Sequence, residues 1–315
     1  MSARQPRKIY RYQGFSPRAI ESLCHDGLYF ANPAEFNDPL DCRPTVESDS
    51  DKCTLRAILT ELIKRRVAAE TLRALKTARL KGKKTEAHAH RSGETAARQE
   101  LTNIAYNATN PEFEVNEEEA ACWLLTSEIQ RELLEQYERG VCCFSAVVDN
   151  PLLWSHYGDQ HRGVCIGYGL DRVPRPILHK VVYGGSRTVK TSLVARALLE
   201  NDLDARNLLD RDVLLRKAPS WRYEREWRLL GDRGTQDSCL KLVDVTFGLR
   251  CPEALKHTLI SALNPRAATV KFFEMSELHG SFKLKRAEVE TNDLHTYFPN
   301  TAMSGEEIFG PASSD

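Results

Sequence analysis

The sequence is poor in ready-made signatures. Its nine cysteines, at positions 24, 42, 53, 122, 142, 143, 165, 239 and 251, contain no Cys-x-x-Cys pair, which removes the usual frameworks for structural zinc and dithiol redox chemistry. Their number is odd and several sit in apolar surroundings such as GVCCFS and GVCIGY. That is the usage of a reducing compartment, where free Cys behaves as a small hydrophobe. No apolar stretch approaches the roughly 18 residues of a membrane span, and the opening MSARQPRKIYRY has no apolar run of leader length. The expectation is a cytoplasmic protein without membrane contact. Net charge is also lacking, since 44 basic side chains face 44 acidic ones, so no global field steers a polyanion. A Walker-type loop, a GxGxxG turn and a nucleophile elbow are all missing, so a bound nucleotide would be held by other means than a common phosphate loop.

What is present reads as an α+β chain. IYRY (9–12) and LYFANP (28–33) are β-prone and flank FSPRAIESLCHDG, in which Ser16 can cap a helix that starts at Pro17 and stops at Gly27. A second strand–helix–strand unit runs from GVCCFS (140–145) through DNPLLWSHYGDQHRG to VCIGYGL (164–170), with Asp149 or Asn150 as cap and Gly163 as stop. Further strands are expected at 180–185 and 240–248, a helical stretch at about 188–216, and a late helix and strand in PEALKHTLISALN and KFFEMSEL. Residues 53–106 have helical periodicity instead. The expected organisation is one domain over 1–315, with a core at about 9–50 and 136–290, a helical insertion at about 51–135, and a mobile tail at about 301–315. Within the insertion, residues 64–98 carry eleven Lys or Arg against three Glu. Such a stretch is either a solvated helix face or the footprint of a nucleic-acid or acidic protein partner.

Three constellations could carry chemistry. In SWRYEREWRLL (220–230), a strand would turn Arg222, Glu224, Glu226 and Arg228 to one face and Trp221, Tyr223, Arg225 and Trp227 to the other. Both carboxylates then lie about 7 Å apart at Cβ, and the flanking arginines favour their ionised forms. In LLWSHYGDQHRG, a helix places Trp154, Tyr157 and His161 on one face as an aromatic platform with an imidazole, and turns His156 elsewhere. In EFNDPLD, Asn37 and Asp38 form a polar turn before Pro39 that can line a cleft. His88-x-His90 lacks further ligands at metal spacing, so no metal site is expected there.

Taken in order, Tyr10–Arg11–Tyr12, Phe36–Asn37–Asp38–Pro39, Trp154/Tyr157/His161/Gly163 and Trp221/Tyr223/Glu224/Glu226/Arg228 resemble the motifs of a bacterial domain-of-unknown-function family. More distantly the order is similar to ADP-ribosyltransferases. That likeness implies a split antiparallel β core with flanking helices and NAD as substrate rather than resident cofactor. It implies NAD contacts from Arg11, Tyr12, Asn37, Asp38, Trp154 and Tyr157, a middle Ser145 or Tyr157, and catalytic roles for Glu226, Glu224 and His161. No metal is expected on this reading. A toxin or phage-defence effector modifying nucleic acid or protein is the biological setting that the likeness suggests. Two other readings stay open: a metal-dependent nuclease or phosphoesterase using Asp38, Asp41, Glu224 and Glu226 as hard oxygen ligands, and a non-catalytic nucleotide-binding sensor.

Overall fold

A computed structural model describes residues 5–136, 139–266 and 269–290, together with 302, 303 and 308. The expected tail at 301–315 therefore lies almost wholly outside the described residues, as do 291–300.

The chain opens with β1 (Lys8–Gln13), α1 (Pro17–Cys24) and β2 (Gly27–Phe30). Ser16 Oγ accepts the Ala19 N–H, as its capping position predicts. The helix ends before the expected glycine, because Asp26 takes the left-handed turn (φ 56°) and Gly27 already begins the strand. After β3 (Thr45–Glu47) come three long helices, α2 (Lys52–Thr77), α3 (Lys83–Asn107) and α4 (Glu117–Gln136). The expected helical insertion is thus three helices, the first two folded back on each other with Gly82 at φ 118° in the turn. Then follow β4 (Arg139–Ser145), α5 (Pro151–His156), β5 (Val164–Gly169), β6 (His179–Lys180), β7 (Val182–Tyr183) and β8 (Thr188–Lys190). The helical stretch expected at about 188–216 is α6 (Thr191–Leu198) and α7 (Leu203–Leu214), separated where Asp202 caps the second. The chain closes with β9 (Arg216–Lys217), β10 (Glu226–Asp232), β11 (Gly234–Asp237), β12 (Lys241–Phe247), α8 (Glu253–Leu263), β13 (Lys271–Glu277) and β14 (Leu284–Glu288).

Eight strands form one sheet in the order β14-β13-β12-β5-β1-β4-β10-β6, and three two-stranded ribbons stand beside it. Its pairs are antiparallel except β12 with β13, which are parallel because α8 carries the chain back between them. The joint between β1 and β4 is unlike the rest. β1 pairs with β5 from Lys8 to Gln13, and β4 pairs with β10 from Arg139 to Ser145, whereas β1 and β4 meet at Tyr10 and Ser145 alone. Beyond that point the two halves of the sheet part, and the Arg11 side chain spans the gap to Cys142.

Strand alternation gives the sheet two faces. Ile9, Phe144, Ile166, Trp227, Leu229, Val245 and Phe247 pack on one face with Leu23 of α1 and Leu259, Ile260 and Leu263 of α8. On the other face there are two separate apolar clusters. Val141 packs with Leu55, Ile58, Leu59, Leu125 and Ile129 of the long helices and with α6 and α7, while Cys165 and Met275 pack under Trp154 of α5. Polar residues at the parting of the sheet lie between these two clusters, and they form the site.

A buried lysine and carboxylate site at the parting of the sheet

Register alone assembles the first layer. Tyr10 of β1 stands opposite Ser145 of β4, which stands opposite Glu226 of β10, so the three side chains share one row and one face. One strand step away, Arg228 stands opposite Cys143. A cavity of about 250 Å³ opens above this row. It is lined by Tyr10, Tyr12, Ser145 and Glu226 from the sheet, Tyr157 after α5, Phe36, Asn37, Asp38 and Asp41 from the polar turn, and Lys217 and Glu224 from the segment entering β10. The three sequence constellations and the early Tyr-Arg-Tyr strand thus meet in one place.

The two glutamates reach the cavity by a route other than the expected strand. Residues Pro219–Glu224 form a 3₁₀ turn, Arg225 is left-handed (φ 48°, ψ 49°), and only then does β10 begin at Glu226. The strand pattern holds from Glu226 onward, with Glu226 and Arg228 on the site face and Trp227 in the opposite core. The left-handed residue replaces alternation at Glu224 and still brings both carboxylates to one ammonium. Lys217 Nζ lies 2.6 Å from Glu224 Oε2, 2.9 Å from Glu226 Oε2 and 3.4 Å from Asp41 Oδ2. Arg228 is fully buried and donates to Glu226 Oε1 (2.7 Å), Asp41 Oδ2 (2.7 Å) and the Leu214 carbonyl (2.6 Å). Arg222, expected to help, is exposed and stands apart from the cluster.

The two carboxylates are not equivalent. Glu226 has both oxygens held by Arg228 and Lys217. Burial opposes its ionisation, yet the adjacent guanidinium and ammonium outweigh that and pull its pKa down to about 2. Glu224 shares Lys217, and its other oxygen accepts from the Tyr157 hydroxyl at 2.8 Å. For this group burial wins over the single cation, and its pKa is raised. Three carboxyl groups, from Asp41, Glu224 and Glu226, thus converge on two cations, Lys217 and Arg228, and Glu224, with Lys217 as its cation, has the weaker support for its charge.

Supporting contacts tie the motifs to one another. Trp221 Nε1 donates to Asp38 Oδ2 (2.8 Å), and Asp38 Oδ1 accepts the Leu40 N–H (2.8 Å), so the polar turn is locked to the 3₁₀ segment. Ser145 Oγ donates to the Glu224 carbonyl (2.6 Å) and accepts the Val147 N–H. The Tyr183 hydroxyl accepts the Glu226 N–H (2.7 Å) from the β7–β9 ribbon that also supplies Lys217. Lys217 and Tyr183 were missed by sequence reasoning. A pair of buried carboxylates demands a cation, and the motif itself offers Arg222 and Arg228, whereas Lys217 lies outside it, separated by Ala218 from the 3₁₀ turn.

The other expected site residues divide between the cavity lining and its surroundings. Helix α5 stops at His156, and Asp159, Gln160 and His161 all have positive φ, so Tyr157 and His161 do not share a helical face. Trp154 is wholly buried, donates to the Val148 carbonyl and packs edge-on against Tyr12, as part of the core beneath the cavity. His161 stacks on Trp154 at 6.3 Å outside the cavity lining, and burial lowers its pKa. His156, expected to point elsewhere, sits edge-on to Tyr157 and Trp221 at the site's rim. Tyr12 lines the cavity and donates to the Val147 carbonyl. Arg11 lines the cavity too and crosses the parting, so that its guanidinium contacts Cys142 Sγ and the Tyr29 carbonyl on the far face. The oxygen set Asp38, Asp41, Glu224 and Glu226 is not a cage around an open centre, because Asp38 holds Trp221 and the other three surround Lys217. Among the described residues no group of three His, Cys, Asp or Glu side chains is arranged to hold a metal ion.

The fold and site define a mixed α+β protein with a buried lysine–carboxylate cluster at the break of its sheet. Residues 153–229, from Tyr157 through Lys217 to Arg228, match the family model described as Protein of unknown function (DUF2971). No curated protein and no solved structure matches the chain. Among the described residues no helix is long and apolar enough to cross a membrane.

Proposed function

We propose that the chain is an NAD-consuming enzyme of ADP-ribosyltransferase or NAD glycohydrolase type, with Glu224 as its reacting carboxylate. The observation that carries this reading is the contrast between two neighbouring carboxylates on one cavity: Glu226 has both oxygens held by Arg228 and Lys217, whereas Glu224 has one oxygen on Lys217 and the other on the Tyr157 hydroxyl, and burial raises its pKa. Environments that push paired titratable groups apart are the arrangement of acid–base sites. The place of the cavity, at the parting of an otherwise continuous and mainly antiparallel sheet, supports a split β core.

The chemistry follows from these contacts. The nicotinamide and its ribose are of a size for this cavity, between the Tyr10, Tyr12, Phe36 and Tyr157 rings. Cleavage of the N-glycosidic bond sends its electron pair to nicotinamide and leaves positive charge on the ribose carbon, which the Glu224 carboxylate stabilises. An O–H of water or of an acceptor then bonds to that carbon, and its proton passes to Glu224. Tyr157 and Lys217 orient Glu224, while Glu226 and Asp41 keep Lys217 and Arg228 in place. The exposed cations Lys76, Arg79, Lys81, Lys83, Lys84 and Arg91, around the turn between α2 and α3, offer a surface for a nucleic-acid or acidic protein acceptor.

Lys217 supports this reading over a metal-dependent hydrolase, because an internal ammonium already sits where the three carboxylates converge. The test is nicotinamide release from NAD by the purified protein, with cell lysate as acceptor source and EDTA in parallel. Release that EDTA leaves unchanged is expected. Loss of activity in EDTA with recovery in Mg²⁺ would favour the hydrolase, and absence of release with every lysate would favour a binding module.

A further inference from the structure

A second cavity, of about 300 Å³, lies on the opposite face of the sheet between β1 and α1. We propose that it binds a small oxyanion, a phosphate or carboxylate group, held by Arg11, Arg18 and Gln13. This inference stands independently of the reading of the first cavity.

Charge is the first reason. Arg11 and Arg18 both line the cavity, and no Asp or Glu does. In the first site each buried cation holds carboxylates, Lys217 three and Arg228 two. Arg11 is treated differently: among the described residues its donors go to the Cys142 Sγ (3.1 Å) and the Tyr29 carbonyl (3.3 Å) and to no carboxylate. A guanidinium has five N–H donors, so most of its capacity is left for a ligand. Arg18 lies over the Tyr29 ring at 4.6 Å, a contact that fixes its planar head without neutralising it.

Unsatisfied hydrogen-bonding capacity is the second reason. Gln13 Nε2 is buried and has no hydrogen-bond partner among the described residues. Leaving such a donor unpaired is unfavourable, and a bound acceptor removes that cost. Ser22 adds a hydroxyl, and the first turn of α1, at Ser16, Arg18 and Ala19, adds the positive end of a helix to the same wall. Two guanidinium groups, an orphaned amide and a hydroxyl form a donor-rich chamber. The complementary ligand is rich in acceptors and negatively charged.

The probe is inorganic phosphate, measured by calorimetry and thermal melting on the full chain. Wild type is expected to bind saturably and to melt higher as phosphate is added. Arg18 is exposed, so Arg18→Gln should fold normally and bind phosphate about tenfold or more weakly, the loss of one charged hydrogen bond. Gln13→Glu places a carboxylate beside Arg11. It is expected to melt at or above the wild-type temperature without phosphate and to lose the phosphate response. A second titration separates two sources of the anion: NAD competing with phosphate identifies a ligand that spans both cavities past Arg11, and independent binding identifies a free small anion. No saturable phosphate binding by wild type, or equal affinity in Arg18→Gln and Gln13→Glu, would overturn the proposal.

Discussion

At the scale of single residues, the site depends on one backbone conformation that the sequence does not advertise. Arg225 is left-handed and exposed, and its side chain is not part of the cluster. A non-glycine residue there stores about 1–2 kcal/mol. Arg225→Gly is therefore expected to hold or raise the melting temperature and leave the site intact, whereas Arg225→Val should lower it, since β-branching resists positive φ. Thermal melts of the two variants decide this. The carboxylates give a second expectation. Glu226 has a folded pKa of about 2, below its unfolded value near 4.3. Its contribution to stability is present above about pH 4.3 and is lost as pH falls toward 2, on the order of 3 kcal/mol in all. Glu224 works in the opposite sense: its folded pKa is raised, so it holds its proton more tightly when folded and costs stability as pH rises through that value. Denaturant melts should show the acid-side loss in wild type and a much shallower one in Glu226→Gln.

At the scale of elements, local pattern was a good guide wherever period and punctuation agreed. Ser16 and Pro17 mark α1, Asn150 and Pro151 mark α5, and the apolar strands β4, β5 and β12 lie where their runs predict. Pattern failed where tertiary contacts set the backbone. Nothing in DQH signals three consecutive left-handed residues, yet the loop is fixed by the His161 N–H to the Trp154 carbonyl and the Arg250 N–H to the His161 carbonyl. That loop keeps Tyr157 and His161 off the common helical face that their spacing predicts. The helical pair α2–α3 offers a comparable case. Gly93 sits in the middle of α3, where glycine costs about 1 kcal/mol relative to alanine, but a Cβ there would stand 2.8 Å from the Lys64 carbonyl oxygen of α2. Close approach of the two backbones outweighs propensity. Gly93→Ala is expected to lower the melting temperature by a few degrees, and a rise would show that the helices can separate freely.

At the scale of the whole molecule, function is placed by a defect in the sheet. β1 and β4 share one residue pair, and on either side of that break lie the two cavities, with Arg11 between them. The α+β class and the convergence of the Tyr10, Asn37, Tyr157 and Glu224 segments were legible in motif order. The supporting cation was not, because Lys217 belongs to a two-residue strand whose partner, β7, is distant in sequence. The central claim is the division of labour between the two glutamates, and it is tested by paired measurement of nicotinamide release and thermal stability in Glu224→Gln and Glu226→Gln. Glu224→Gln is expected to keep the wild-type melting temperature and lose about 100-fold or more in turnover. Glu226→Gln is expected to melt roughly 10 °C lower, since breaking a buried ion pair costs about 3–5 kcal/mol. Wild-type turnover in Glu224→Gln, or an unchanged melting temperature in Glu226→Gln, would contradict the account.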